Sequence, residues 1–333
     1  MTKQSIKAHF PRIINMAAPI AGTRLINMLT GFVGMLIAAH LGKTIFAACA
    51  LLNIAYIFFF VVGISLLYAI GVVAAQMVGA KNNASVGATF QQGTLLAILI
   101  SVPIGICFYN MDHILHFLGQ KAILMPYIRQ YYHTAVWGVV PSFFLVVLQQ
   151  ICFATDNQRL VIYCNIICFF IFIPIAYCMI LGLNIQPDVP WVGGLHFQSL
   201  GINGLSWAFN ISNFMNTILL LFLVYKLKRF QPYKLFSKHA HTGLVHLRKL
   251  FQVGWPMTIQ FSSEVMIFTI IGLFIGRFGE STLMAFQVVI QWEGLTIIPV
   301  FGISDAIGIL IGHQAGAKQY DELNITLNAT FVL

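Results

Sequence analysis

Residues 16–81 and 253–318 carry one layout twice, at a constant offset of 237 and with no gap needed to align them. Pro19 falls on Pro256, Leu36 on Leu273, Gly42 on Gly279 and Ala48 on Ala285. Ala69-Ile70-Gly71 falls on Ala306-Ile307-Gly308, and Gly79-Ala80-Lys81 on Gly316-Ala317-Lys318. An ungapped match over two long segments is the mark of an internal duplication, so whatever one segment folds into, the other must fold into as well. The copies differ in charge at one telling place: Asn27 falls on Glu264.

The residues around these segments restrict the class further. Of 333 residues 59% are hydrophobic and only 8% charged, too few charges to cover the surface of a soluble protein of this size. The expected class is all-α, a polytopic membrane protein whose main partner is the lipid bilayer. A crossing needs about 20 apolar residues. Such spans run near 13–38, 44–77, 88–108, 131–153, 160–182, 201–225, 251–276 and 282–313, and a ninth begins near Leu323. The run from Ile13 is too long for a signal peptide and lacks a small-residue cleavage site. The net charge of +9 does not imply a nucleic-acid partner, because Lys and Arg fall in alternate loops rather than on one face. All six cysteines lie within apolar spans, where small packing residues are expected and metal ligands are not.

Thirteen Lys and Arg lie on the side of the N-terminus and four on the other, with Arg24 inside a span. The excess places the N-terminus in the cytoplasm of a multi-pass cell-membrane protein. The basic segment from Lys226 to Lys249 separates the halves, and its His239, His241 and His246 read as part of a solvated linker rather than a metal site. Two parallel-repeat helical lobes are expected: residues 1–236, with six helices and the start of the linker, and residues 237–333, with the rest of the linker, helices seven and eight, and the start of a ninth. A complete second copy would need about 460 residues by repeat arithmetic. The expectation is therefore a truncated chain ending inside a span at Leu333. Parallel repeats in a membrane protein point to a transporter with a central site.

Three acids fall within the expected spans: Glu264, Glu293 and Asp305. Acids at membrane depth need a cavity or a partner. Glu264 has Gln260 one turn before it and Ser262 and Ser263 beside it. It reads as a coupling-cation ligand exchanging H⁺ or Na⁺, or as a protonated Glu bonded to a neighbouring helix. Gln287, Gln291 and Asp305 share a helical face at offsets of 4 and 18, with Pro299 between them as a kink. Asp305 is the second candidate cation site, against a position near the headgroups. Glu293 points off that face and is the third. Arg24, Asn27, Gly31, Gly34 and Ala38 line one narrow stripe. Arg24 either bonds carbonyls beside a tightly packed helix, or stands as a fixed charge paired with an intramembrane acid, with Glu264 as the proposed partner. Arg24, Asn27, Gln260, Gln287, Gln291 and Tyr68 are the expected lining of a substrate cavity, with Tyr56 beside Tyr68 as an aromatic contributor.

The chain resembles the multidrug and toxic-compound extrusion (MATE) transporters over its whole length. The resemblance rests on Pro19 and Pro256, the Ala-Ala-His-Leu-Gly run from Ala38 to Gly42, Gly201-Ile202-Asn203-Gly204, Ala285-Phe286-Gln287-Val288 and Gly312-His313-Gln314-Ala315-Gly316-Ala317. Phe261-Ser262-Ser263-Glu264-Val265 is similar to the NorM-type branch. The resemblance implies a pair of six-helix lobes, a monomer without cofactor, that exports amphipathic organic compounds against inward flow of Na⁺ or H⁺. Pro19, Pro256 and Pro299 are the expected helix hinges. The family's seventh-helix glutamate corresponds to Glu264. Its first-helix aspartate corresponds to Gly34, and the polar pair of its fifth helix to Phe172 and Ala176, so the first lobe is expected to lack its cation site.

A cation-coupled antiporter is therefore the leading expectation. A lipid-linked precursor flippase on a related fold is the alternative, favoured by a cationic cavity, and a non-transporting remnant is another. The parallel repeat argues against a channel or receptor. An enzyme would need a nucleophile–base or metal constellation, and the sequence offers none.

Overall fold

An apolar run in hydrocarbon must satisfy its backbone N–H and C=O groups within itself, so each expected span closes into a helix. The computed structural model of the chain describes residues 3–185, 195–237 and 245–330. The helices are α1 (Lys3–Ala38), α2 (Lys43–Gly79), α3 (Asn83–Tyr109), α4 (Met111–Phe117), α5 (Met125–Ala154), α6 (Gln158–Leu181), α7 (Ile202–Lys226), α8 (Val245–Phe278), α9 (Glu280–Gly316) and α10 (Tyr320–Thr330). All but α4 and α10 are long and apolar enough to cross a membrane. The chain is thus an all-helical polytopic membrane protein. The spans coincide with those expected, and Pro19, Pro256 and Pro299 lie inside continuous helices.

The additions lie between spans. The short helix α4 and a hairpin of β1 (Leu183–Ile185) with antiparallel β2 (Leu195–Phe197) occupy stretches read as loops. Leu333, His239 and His241 lie outside the described residues, whereas His246 belongs to the first turn of α8. The linker is less solvated than its charge suggested. Phe230 and Leu235 are buried, and the Gln91 amide of α3 donates to the carbonyls of Leu235 (3.1 Å) and Ser237 (2.8 Å).

The duplication is visible in the backbone. Helices α2 and α9 have identical bounds at the offset of 237, and α3 and α10 start at equivalent residues. Gly42 and Gly279 open α2 and α9 with φ of +119° and +145°, a region nearly closed to side chains. Lys81 and Lys318 follow α2 and α9 with φ of +55° and +59°. Thr89 bonds the carbonyl of Ser85, and Thr326 the equivalent carbonyl of Glu322.

Contacts between the halves obey the same relation. Along α1 and α9 they run in opposite senses: Ala21 meets Gly302, Met28 meets Gly294 and Met35 meets Gln287. Helices α2 and α8 do likewise, with Leu66 at Gly254 and Ile54 at Gly272. Along α2 and α9, equivalent helices, contacts rise together from Asn53–Gln287 to Val72–Gly312 and Gln76–Gly316. Equivalent helices therefore run the same way, as a parallel repeat requires. At one end the packing is reciprocal: a side chain on Gly79 would strike the His313 carbonyl, and one on Gly316 would strike the carbonyl of Gln76, the residue equivalent to His313. Such self-matching contact is what a two-fold relation generates.

Candidate functional site

Every Cβ in a helix leans toward that helix's N-terminus. Arg24 on α1 and Asp305 on the oppositely directed α9 therefore lean toward each other across the level where Ala21 meets Gly302. The Arg24 Nε and Nη2 both donate to Asp305 Oδ2, at 2.8 and 2.5 Å. The partner of Arg24 is thus Asp305 and not the expected Glu264. The guanidinium also lies 5.3 Å from the Tyr68 ring centre and 5.5 Å from that of Phe301. At the offset of 237 Arg24 corresponds to Phe261 and Asp305 to Tyr68, and Phe261 packs edge-on against Tyr68 at 5.8 Å. One helix crossing carries an ion pair and its twin carries two aromatic rings. The sequence alone did not reveal this, although the offset identifies both pairs once the helix contacts are known.

The resemblance implied a carboxylate at Gly34, and the space there is taken by hydrocarbon. A Cβ on Gly34 would lie 2.9 Å from the Phe209 ring, 3.0 Å from Leu205 and 3.2 Å from Phe172. The rings of Phe172 and Phe209 stack at 5.1 Å, and Ala176 is fully buried nearby on α6.

Beside this plug is a cavity of about 480 Å³ lined by α1, α2, α3, α5, α6, α7 and α9. Its polar lining is dominated by carboxamides: Asn27 from α1, Asn53 from α2, Gln149 from α5, Asn165 from α6, Asn210, Asn213 and Asn216 from α7, and Gln291 from α9. Ser142, Ser206 and Ser212 add hydroxyls, and Tyr56, Phe60, Phe169 and Phe209 add rings. Among the described residues no Asp, Glu, Lys, Arg or His lines it. Several amides are fixed by helix-to-helix bonds: Asn210 Nδ2 to the Thr134 carbonyl (2.8 Å), Asn213 Nδ2 to Ser142 Oγ (3.1 Å) and Asn216 Nδ2 to Asn165 Oδ1 (2.5 Å).

Of the expected cavity residues, Asn27 and Gln291 line this space, as does Tyr56. Gln287 lies just outside it, 2% exposed, with its amide 3.4 Å from Asn53 Oδ1 and 3.6 Å from Met35 Sδ. Arg24 and Tyr68 belong to the ion-pair cluster, and Gln260 is exposed on α8. Gln287, Gln291 and Asp305 all turn toward α1, so Pro299 does not spoil their common face. Glu264 is half-buried on α8, and among the described residues its carboxylate has no hydrogen bond or ion pair. Glu293 is half-buried and outside the cavity lining. The largest omission of the sequence reading is the α7 stripe. Ser206, Asn210, Asn213 and Thr217 recur at offsets of 4, 3 and 4, a polar helical face within an apolar span that periodicity could have exposed.

Comparison with known proteins agrees with this architecture. Among curated relatives, the multidrug resistance protein NorM of Vibrio vulnificus is 28% identical over 96% of this chain and 68% of its own length. A probable multidrug resistance protein NorM of Synechococcus is 22% identical over 96% of this chain and 66% of its own. The chain thus spans about two thirds of their length. Among solved structures, the eukaryotic MATE transporter AtDTX14 superposes with a TM-score of 0.83 at 15% identity, covering 98% of this chain and 70% of that one. The MATE multidrug transporter DinF-BH gives 0.81 at 19% identity, covering 99% and 70%. The family model MatE matches residues 19–178 and 256–333, its two matches opening on the equivalent prolines Pro19 and Pro256. Matched through both halves and over most of its length, the chain belongs to the MatE family of MATE transporters, which are membrane carriers and not enzymes.

Proposed function

We propose that the protein is a cation-coupled antiporter that exports amphipathic organic compounds, with H⁺ or Na⁺ entering at Glu264. One observation carries this reading: Asn27 lines the cavity of the first half, and the residue equivalent to it in the second half is Glu264. The same scaffold position thus serves an uncharged cavity in one half and a carboxylate without a counter-charge in the other. A carboxylate at that depth exchanges a cation or proton more readily than one held by an arginine. Asp305, neutralised by Arg24, is in this reading a structural partner, and Glu293 stays a secondary candidate.

The lobe division follows the duplication: residues 1–236 as the amino-terminal lobe, and 237–333 as linker and carboxy-terminal helices. The N-terminus is cytoplasmic, in keeping with the distribution of Lys and Arg. A lipid-linked precursor flippase would call for a cationic cavity, and among the described residues the lining carries no charge.

The test is transport in everted membrane vesicles carrying the protein, with imposed H⁺ or Na⁺ gradients and amphipathic probes of both neutral and cationic kinds. Gradient-driven accumulation is expected, reduced about tenfold or more by Glu264→Gln. Accumulation without dependence on either gradient, or full coupling in Glu264→Gln, would overturn the assignment.

A further inference from the structure

The geometry points to an uncharged, hydrogen-bonding amphiphile of the chemistry of an aromatic glycoside as the ligand of the amino-terminal cavity, in place of an organic cation. The inference deepens the exporter reading and uses it only in taking this cavity as the seat of the solute.

A cation withdrawn from water is held best by an opposite charge. Among the described residues the cavity lining supplies no opposite charge. Its eight carboxamides offer donors as well as acceptors, and among the described residues no carboxylate lines it. The Asp305 carboxylate is engaged by Arg24, and the first-helix position that the resemblance gave to an aspartate is Gly34, packed against Phe209 and Phe172.

Three buried polar atoms in the lining have no partner among the described residues: Asn165 Nδ2, Asn216 Oδ1 and Ser206 Oγ. Their residues are 3%, 6% and 1% exposed. Asn165 and Asn216 already share one bond, which leaves one donor and one acceptor side by side. A hydroxyl is both donor and acceptor and so matches that pair, whereas an ammonium only donates. Tyr56 and Phe60, also in the lining, stack at 5.1 Å and offer apolar surface suited to an aromatic ring. A volume of about 480 Å³ is in the range of small-molecule sites.

The experiment is equilibrium binding to the purified protein in nanodiscs with no ion gradient, using 4-methylumbelliferyl glucoside as the neutral probe and ethidium as the cation. The glucoside is expected to bind about tenfold more tightly than ethidium. Asn216→Leu, which keeps the branched shape and removes the amide, should weaken the glucoside about tenfold and leave ethidium unchanged. Asn27→Asp adds a carboxylate at an exposed position on the cavity wall and should reverse the preference. That variant tests the idea even where Asn216→Leu fails to fold. Absence of glucoside binding, tighter binding of ethidium to the parent, or indifference of both ligands to Asn27→Asp would overturn the inference. Selective glucoside binding without gradient-driven transport would reject the exporter reading and leave the cavity's chemistry standing.

Discussion

The two halves place the same helices around different chemistry. In the first, Asn27 faces a cavity of amides and rings; in the second, the equivalent residue is Glu264. At one helix crossing Arg24 holds Asp305, and at its twin Phe261 packs on Tyr68. The backbone features are preserved through all of this, down to the glycines at 42 and 279 and the left-handed lysines at 81 and 318. Duplication thus conserved what the fold demands of the backbone and released the side chains that face one another. In the proposed function one half took the solute and the other the ion.

The sharpest way to break this comparison is to remove one side of the ion pair. Arg24→Ala leaves the Asp305 carboxylate at depth without its counter-charge and should lower stability by about 3 kcal/mol. Unfolding of the purified protein in detergent measures this. The double variant Arg24→Phe with Asp305→Tyr copies the Phe261–Tyr68 crossing onto its twin. It should return to within about 1 kcal/mol of the parent, because apolar replacement of a buried pair is often neutral. A double variant as unstable as Arg24→Ala would show that the crossings are not interchangeable.

A smaller loss is expected where α2 and α9 touch backbone to backbone. Gly79→Ala and Gly316→Ala each drive a methyl group into the other helix's carbonyl, at His313 and Gln76 respectively. Each should cost about 2 kcal/mol, and by nearly the same amount, since the contacts are equivalent. Thermal unfolding of the two variants side by side checks that equality, and a large difference between them would break the two-fold relation. Next come Gly42→Ala and Gly279→Ala, where only the backbone angle is at issue. No neighbour crowds either position, so each should cost on the order of 1 kcal/mol from φ alone.

The smallest effect on stability belongs to the residue with the largest role in the proposed function. Glu264→Gln touches no hydrogen bond or ion pair of the described residues and should shift stability by less than about 0.5 kcal/mol. Its effect should be confined to gradient-driven transport. A large loss of stability would instead make Glu264 a structural residue and weaken the contrast between the halves.

Much of this was legible in the amino-acid order. Apolar length alone located the eight spans, because a continuous apolar run of about 20 residues satisfies its backbone in hydrocarbon as a helix. Glu264, Asp305 and Arg24 stood out because charges at membrane depth are rare. Their pairing was not legible: Glu264 and Asp305 both lie within reach of a first-helix arginine in a linear reading. The choice fell to Asp305 because α1 runs antiparallel to α9, and that is a fact of packing. The α7 asparagines were overlooked for a different reason. Each is unremarkable singly, and their convergence with Asn165 and Gln149 depends on how α5, α6 and α7 are rotated.

The sequence by itself therefore determined the helices, their repeat, and the few positions where charge is concentrated, since these follow from local hydrogen bonding and the cost of polar groups in lipid. The tertiary structure decided which charge meets which, that hydrocarbon fills the space around Gly34, and that eight carboxamides enclose one uncharged cavity. Those outcomes depend on helix rotation and crossing, which are set by close packing between segments far apart in the chain.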